Sequence, residues 1–193
     1  MGGPGLENRQ SLQPRVFDSL ALRHFGVDRG RGKEYLRVMW KTLKDEIVPD
    51  IKAFIAEAAK GGQTVHIGTD SLQAGTKTQF VTVVVVLTPM KGGRVAYYRE
   101  VVPRIKSLRE RLLREVYKST ELALEIQEIV PGELTVHIDA NPEVKFKSSQ
   151  YVQELVGLVV GQGFKALIKP QSWAASHAAD HIVRAHGKFP RAA

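Results

Sequence analysis

The chain of 193 residues contains no cysteine. Disulfide bonds, thiolate zinc sites and cysteine nucleophiles are therefore excluded, and we expect a cytoplasmic protein. No apolar run approaches the roughly 20 residues that a membrane helix needs. Residues 1–10 carry no apolar signal segment, so we do not expect export. Aromatic residues make up only 7% of the chain, and its 20 acidic residues are outnumbered by 28 basic ones.

The excess of basic residues gives a net charge of +8 and a pI near 9.8. Such a surface favours a polyanionic partner, and nucleic acid is the first candidate. The alternative is that the surplus of Lys and Arg only keeps a small protein soluble. Hydrophobic residues make up 43% of the chain and charged residues 25%, which is typical of a globular protein that buries a core.

The hydrophobic pattern predicts one domain over residues 33–187, with a tail over 188–193. Residues 1–32 are predicted to be a flexible or accessory segment, because residues 1–15 have no periodicity and residues 26–32 form a basic, glycine-rich loop. A helix is predicted from Lys33 to Lys60, broken near Pro49, because apolar residues recur on one face. Those residues are Leu36, Met39, Trp40, Leu43 and Ile47.

The remaining elements predict an α/β fold with a five-stranded mixed sheet, in the order β-β-β-α-β-α-β-α after the N-terminal helix. The first three strands have short connections, which favours an antiparallel meander. The predicted strands are 65–69, 79–88, 94–102, 134–139 and 164–169, and the predicted helices are 103–129, 147–160 and 173–185.

Two predicted strands, V-H-I-G-T-D and T-V-H-I-D, each end in a carboxylate, Asp70 and Asp139. The helix between them can supply Glu115, and the last helix can supply Asp180. Four converging carboxylates need cations, and Mg²⁺ or Mn²⁺ suits oxygen ligands. One or two ions, a pair lying ~3.5–4 Å apart, could then act on a phosphodiester.

Each of these carboxylates also has an ordinary structural interpretation. Asp70 and Asp139 could be turn residues, and Asp180 could lie on a solvated helix face. A helix glutamate usually faces water, and Glu110 and Glu121 are rivals of Glu115 for the site.

Several segments resemble the ribonuclease-H-like YkuK family of bacterial proteins. They are H-I-G-T-D-S (66–71), Q-F-V-T-V-V-V-V (79–86), L-R-E-R-L-L-R-E-V (108–116), H-I-D-A-N-P (137–142) with K-F-K-S-S (145–149), and I-K-P-Q-S-W-A-A-S-H-A-A-D-H (168–181). The resemblance covers roughly residues 64–183, and the last motif is the most specific.

The resemblance implies a ribonuclease-H-like fold with strand order 3-2-1-4-5 and flanking helices. It also implies a carboxylate site made of Asp70, Glu115, Asp139 and, near His177, Asp180. Two departures stand out. The turn after Asp70 lacks the usual ribonuclease H glycine pattern, and Asp139 is followed by Ala-Asn-Pro.

Other polar side chains near these carboxylates are predicted to bind substrate. They are Ser71, Arg109, Asn141, Lys145, Lys147, Trp173 and His177. Lys145 and Lys147 could bind phosphates, although a solvated helix start is the alternative. Trp173 could stack on a base, although a tryptophan on a helix near small alanines more often belongs to the core. His66 and His137 occupy corresponding places in two strands and are predicted to lie on a less buried sheet face.

The leading hypothesis is a metal-dependent nuclease or nucleic-acid-processing enzyme. RNA, an RNA–DNA hybrid and structured DNA all stay open as partners. One alternative is a non-catalytic nucleic-acid-binding protein of the same fold. Another is an interaction or assembly module, in which an N-terminal helix buries Trp40 and Phe54 against a partner.

Overall fold

The three-dimensional structure, a computed structural model, describes residues 39–179 and Ile182. Within that range seven strands and three α-helices follow one another. They are β1 (Trp40–Thr42), β2 (Ile47–Val48), α1 (Ile51–Ala58), β3 (Thr64–Ala74), β4 (Lys77–Thr88), β5 (Gly92–Pro103), α2 (Leu108–Ile126), β6 (Leu134–His137), α3 (Val152–Gly161) and β7 (Lys165–Leu167). Short 3₁₀ turns occupy Gln127–Ile129 and Ser149–Tyr151, and a π-helical segment occupies Ala174–Ala179.

The strands form one mixed sheet in the order β2-β1-β5-β4-β3-β6-β7. Strands β3, β4 and β5 form the predicted antiparallel meander, whereas β6 runs parallel to β3 and β7 runs parallel to β6. If β3 to β7 are numbered one to five, the central order is 3-2-1-4-5. The predicted ribonuclease-H-like fold is therefore confirmed, and β1 and β2 add two strands at one edge.

Strand β3 is longer than the sequence predicts. It continues past Asp70 to Ala74 and pairs with β4 over its whole length, from Thr64–Leu87 to Ala74–Lys77. The strand turns only at Gly75, whose φ of +55° favours glycine. The prediction that Asp70 ends its strand was therefore wrong, because Ser71 and Leu72 keep the extended pairing.

The predicted helix from Lys33 to Lys60 was also wrong over much of its length. Residues 33–38 lie outside the described residues, β1 and β2 form an antiparallel pair, and only Ile51–Ala58 is helical. The ring of Trp40 packs edge-on against Tyr98 of β5, with centroids 4.7 Å apart. Met39, Leu43 and Ile47, which the helix would have buried, are exposed. A turn with Asp45 at φ +62° separates the two strands.

Helix α2 begins at Leu108 rather than at Pro103, which instead ends β5. The Ser107 hydroxyl caps the helix by accepting a hydrogen bond from the Glu110 amide at 3.2 Å. Helix α3 likewise begins later than predicted, and of the last predicted helix only the part up to Ala179 and Ile182 is described. In the described part of the chain, no helix is long and apolar enough to cross a membrane.

The two faces of β3 have different neighbours. Thr69 and Ser71 point towards α2, where they meet Ser119 and Glu115. On the other face His66 contacts Trp173, beside the π-helical segment. The larger hydrophobic core lies on the α2 side, and a smaller one, which includes Val81, Val83, Tyr97, Ala174, Ala179 and Ile182, lies on the other. Strand β3 thus carries side chains to both layers.

Candidate active site

Asp70 lies in the middle of β3, opposite Val81 of β4, and is half-buried. On its other side, β3 pairs in parallel with β6 up to the pair Gly68–His137. If that register is continued by two residues, Asp70 comes level with Asp139. A carboxylate oxygen of Asp70 accepts a hydrogen bond from the Ser71 amide at 2.7 Å. The central strands therefore bring the two predicted aspartates to the same level of the sheet.

Glu115 reaches this place from α2 and is only 5% exposed. It lies on the helix stripe that buries Leu112, Val116 and Ser119 against the sheet. The Ser71 hydroxyl donates a hydrogen bond to Glu115 Oε1 at 2.5 Å. The helix period thus places a carboxyl group in the core, directly against β3.

The burial of Glu115 raises the pKa of its carboxyl group well above the usual value, and the nearby charge of Asp70 raises it further. The Ser71 hydrogen bond and the Arg111 charge act in the opposite direction, and Asp139 adds a smaller upward contribution. The charges of Asp70 and Asp139 therefore both act on the Glu115 carboxyl group.

The rival glutamates of α2 face elsewhere. Glu110 is exposed and accepts a hydrogen bond from Arg114 at 2.9 Å, and Glu121 is also exposed. Among the three candidates, Glu115 is the buried one, and the charges of Asp70 and Asp139 raise the pKa of its carboxyl group. The structure therefore favours Glu115, although its catalytic role stays a prediction.

Two basic side chains outside the predicted site residues balance these carboxylates. Lys169 Nζ lies 2.8 Å from Asp139 Oδ1, an oxygen that is shielded from solvent. Arg111 Nη1 donates to the Ser71 hydroxyl at 3.0 Å, next to Glu115. Both lie within motifs of the family resemblance, but only the fold shows which carboxylate each one approaches.

Arg109 is predicted to bind substrate, but in the structure its side chain pairs with Glu154 of α3. Its Nε donates to Glu154 Oε2 at 3.0 Å, and the pair bridges the two helices. Both side chains are partly exposed, so the pair contributes little to stability. A substrate role for Arg109 would require it to leave Glu154.

The segment after Asp139 forms an ordered loop. The Asn141 amide donates to the Ser148 hydroxyl at 3.1 Å, and Asn141 Oδ1 accepts from the Glu143 amide at 3.0 Å. Lys145 extends from this loop and forms an ion pair with Glu143 at 2.6 Å, and Lys147 is exposed. The helix predicted to start at Lys147 is absent here, and the two lysines lie on a loop.

On the opposite face of the sheet, His66, His137 and Trp173 form one cluster. His66 Nδ1 and His137 Nε2 are 3.0 Å apart, and the Trp173 ring lies about 5 Å from each imidazole. The expectation of a less buried face was wrong for His137, which is 1% exposed, because Trp173 covers it. His177 is exposed, and Asp180 lies outside the described residues.

Asp70, Glu115 and Asp139 each offer carboxylate oxygens, the donor type that a hard divalent cation prefers. Within residues 39–179 and Ile182, however, no three His, Asp or Glu side chains already form a group that could hold a metal ion. Ser71 contacts the carboxyl group of Glu115, and Lys169 contacts that of Asp139. A cation would have to compete with both contacts.

Comparison with known proteins identifies the family. A family model described as ribonuclease H-like matches residues 46–184. The match covers well over half of the sequence, and the chain therefore belongs to the ribonuclease-H-like family.

One curated relative is the uncharacterized protein YkuK of Bacillus subtilis (strain 168). It is 26% identical over 154 residues, which cover 72% of this chain and 90% of the relative. The resemblance to the YkuK family is thereby confirmed.

Two solved structures are similar at low identity. RNase H1 from the halophilic archaeon Halobacterium salinarum NRC-1 is 12% identical with a TM-score of 0.35, covering 56% of this chain and 86% of that one. The N-terminal RNase H domain of a Mycobacterium tuberculosis protein, solved as a fusion with maltose-binding protein, is 14% identical with a TM-score of 0.34, covering 64% and 98%.

Proposed function

We propose that this protein is a metal-dependent nuclease that hydrolyses phosphodiester bonds. One observation carries the proposal: Glu115 is buried in the field of Asp70 and Asp139, which raises its pKa. A carboxyl group in such a position costs folding free energy. Strongly perturbed carboxyl groups of this kind are concentrated at functional sites.

In this proposal Asp70, Glu115 and Asp139 hold one or two Mg²⁺ or Mn²⁺ ions, together with Asp180 from the C-terminal segment. The bound ion would activate the attacking water and stabilise the leaving oxygen. Lys169 and Arg111 balance the carboxylate charge before the ion binds. The substrate-binding roles of Ser71, Arg109, Asn141, Trp173 and His177 stay predictions.

The experiment is cleavage of labelled single-stranded RNA, single-stranded DNA, an RNA–DNA hybrid and branched DNA, with Mg²⁺ or Mn²⁺. Asp70→Asn and Glu115→Gln each preserve shape and remove one ionisable carboxyl group. Glu121→Gln is the matched control, because Glu121 lies exposed on the same helix. We expect the wild type and the control to cleave the substrate. The two site variants should lose cleavage activity by roughly 100-fold or more. Equal cleavage by all four proteins would contradict the proposal.

A second function, nucleic-acid binding without catalysis, is favoured by the Lys169–Asp139 ion pair at 2.8 Å. Because this ammonium already balances Asp139, the fold does not need a cation there. On this hypothesis no substrate is cut with either metal, and salt-sensitive binding of nucleic acid survives Asp70→Asn. The same panel therefore distinguishes the two functions.

A further inference from the structure

The loop that follows Asp139 carries a tip of four residues, Val144–Lys147, in which apolar and basic side chains alternate. Val144 is 94% exposed and Phe146 is 41% exposed. The Lys145 side chain is 68% exposed, and Lys147 is exposed as well. The larger core lies elsewhere, so burial within the fold does not explain these apolar side chains.

Local hydrogen bonds hold the tip in place. Below it, the Asn141 amide donates to the Ser148 hydroxyl, as described above. Within the tip, the Phe146 amide donates to the Glu143 carbonyl at 2.9 Å, and the Ser149 amide donates to the Phe146 carbonyl at 3.1 Å. Lys145 Nζ lies 5.1 Å from the centre of the Phe146 ring. The aromatic ring is therefore presented from a turn with a defined shape, six residues beyond Ala140.

We propose that this tip binds an unpaired nucleotide of a nucleic acid strand that passes the carboxylates, with its base stacked on Phe146. An exposed aromatic ring between two lysines combines the two elements of single-strand binding, a stacking surface and phosphate-neutralising charge. A base inside an intact duplex cannot offer its face to the ring. The tip thus selects single-stranded or frayed nucleic acid. This inference rests on the proposal that nucleic acid is the partner, but it does not require cleavage.

The experiment measures the affinity of the full chain for a fluorescent 12-nucleotide single strand and for a blunt duplex of the same sequence. EDTA is present, so that catalysis plays no part. We expect Phe146→Ala to weaken single-strand binding roughly 5- to 100-fold and to leave duplex binding unchanged. Phe146→Trp should restore it, because indole also stacks. Tyr117→Ala, which removes an aromatic side chain that is 51% exposed on α2, is the matched control and should change neither affinity.

The contribution of the two lysines is tested by the salt dependence of binding. Replacing Lys145 and Lys147 by Gln should reduce the slope of log affinity against log salt by about 1.4 for the single strand, since each contact releases roughly 0.7 counterion. Unchanged single-strand affinity in Phe146→Ala, or an equal loss for single strand and duplex, would overturn the inference. A third result would also overturn it. If Phe146→Ala loses self-association in sedimentation with no change in nucleic-acid affinity, the tip is a contact between protein chains.

The failure of this inference and that of the nuclease proposal can be told apart. If no substrate is cut but Phe146→Ala selectively weakens single-strand binding, the tip is supported and the nuclease proposal fails. If substrates are cut and Phe146→Ala binds single strands normally, the nuclease proposal stands and the tip inference fails.

Discussion

The Ser71 hydroxyl lies 2.5 Å from Glu115 Oε1 and joins strand β3 to helix α2 beside Asp70. This hydrogen bond fixes the glutamate in the core, where its carboxyl group is removed from water and is influenced by the charge of Asp70. The folded protein therefore holds the Glu115 proton more tightly than the unfolded chain does, because the pKa is raised on folding.

The first prediction concerns Glu115→Gln and pH. Because the folded pKa is raised, the stability associated with the protonated group is present below the unfolded value, near 4.3, and is lost as the pH rises through the folded pKa. Within that window wild-type stability should fall by up to about 1.4 kcal/mol per pH unit. The variant, which cannot ionise, should show a shallower dependence and be more stable at pH 8.

The measurement is urea denaturation at pH 5 and pH 8 in EDTA. Glu121→Gln should follow the wild type at both values, because Glu121 is exposed. A Glu115→Gln protein that is less stable than the wild type at pH 8 would show that the ionised glutamate stabilises the fold.

The second prediction concerns Lys169. Without divalent cations, Lys169→Met leaves the shielded Asp139 oxygen without its ammonium, and the partly exposed pair suggests a loss of about 1–2 kcal/mol. Added Mn²⁺ should then raise the melting temperature more in the variant than in the wild type, because the competing ammonium is gone. Lys165→Met, which breaks the exposed pair with Glu133, is the control. An equal Mn²⁺ effect in all three proteins would exclude competition at Asp139.

The succession of strands and helices from β3 to β7 could be predicted from the sequence because its signals are local, whereas the order 3-2-1-4-5 within the sheet was implied by the family resemblance. The valine run of β4, the turn near Gly92 and the glycines after α3 each mark an element without knowledge of its neighbours. The hairpin of β1 and β2 could not be predicted, since Trp40 and Ile47 also fit a helical stripe. What decides there is the contact of Trp40 with Tyr98 of β5, 58 positions away in the chain.

The candidate site shows the same division. Asp70 and Asp139 are candidates because each follows a short strand-like pattern. The pattern of α2 leaves Glu110, Glu115 and Glu121 open, the family resemblance favours Glu115, and the roles of all these residues stay predictions. The contacts of Lys169 and Arg111 could not be predicted, because they depend on distant partners. Lys169 meets a carboxylate 30 residues earlier, and Arg111 meets a hydroxyl 40 residues earlier.

The third prediction concerns His137. The pKa of its imidazole is lowered to about 4, chiefly by burial and to a smaller extent by the charge of His66. A group whose pKa is depressed contributes stability that is present above the unfolded pKa, near 6.5, and is lost as the pH falls towards 4. The wild type should lose up to about 3 kcal/mol over this window, and His137→Phe should lose less.

The histidine prediction is checked by thermal unfolding between pH 7 and pH 4.5. His177→Gln serves as the control, since His177 is exposed, and it should follow the wild type. The hydrogen bond between His66 and His137 gives an independent reason for the effect: two imidazolium ions offer no acceptor nitrogen, so the contact at 3.0 Å needs one neutral ring. An identical acid sensitivity in His137→Phe would place the cause elsewhere.

The last prediction concerns the buried hydroxyl of Thr69, which lies 2.9 Å from the Thr82 hydroxyl and 2.8 Å from the Ser119 hydroxyl. All three residues are 1% exposed or less. Thr69→Val keeps the shape but removes a partner from two buried polar groups, so we expect a loss of about 1–3 kcal/mol. Thr88→Val, at the half-buried end of β4, is the control and should cost less. In the double variant Thr69→Val/Ser119→Ala the loss of stability should be smaller than the sum of the two single losses. The reason is that the Ser119 hydroxyl, which Thr69→Val leaves without its partner, is also removed. Urea denaturation of the four variants measures this coupling, and strict additivity would mean that the hydroxyls do not act together.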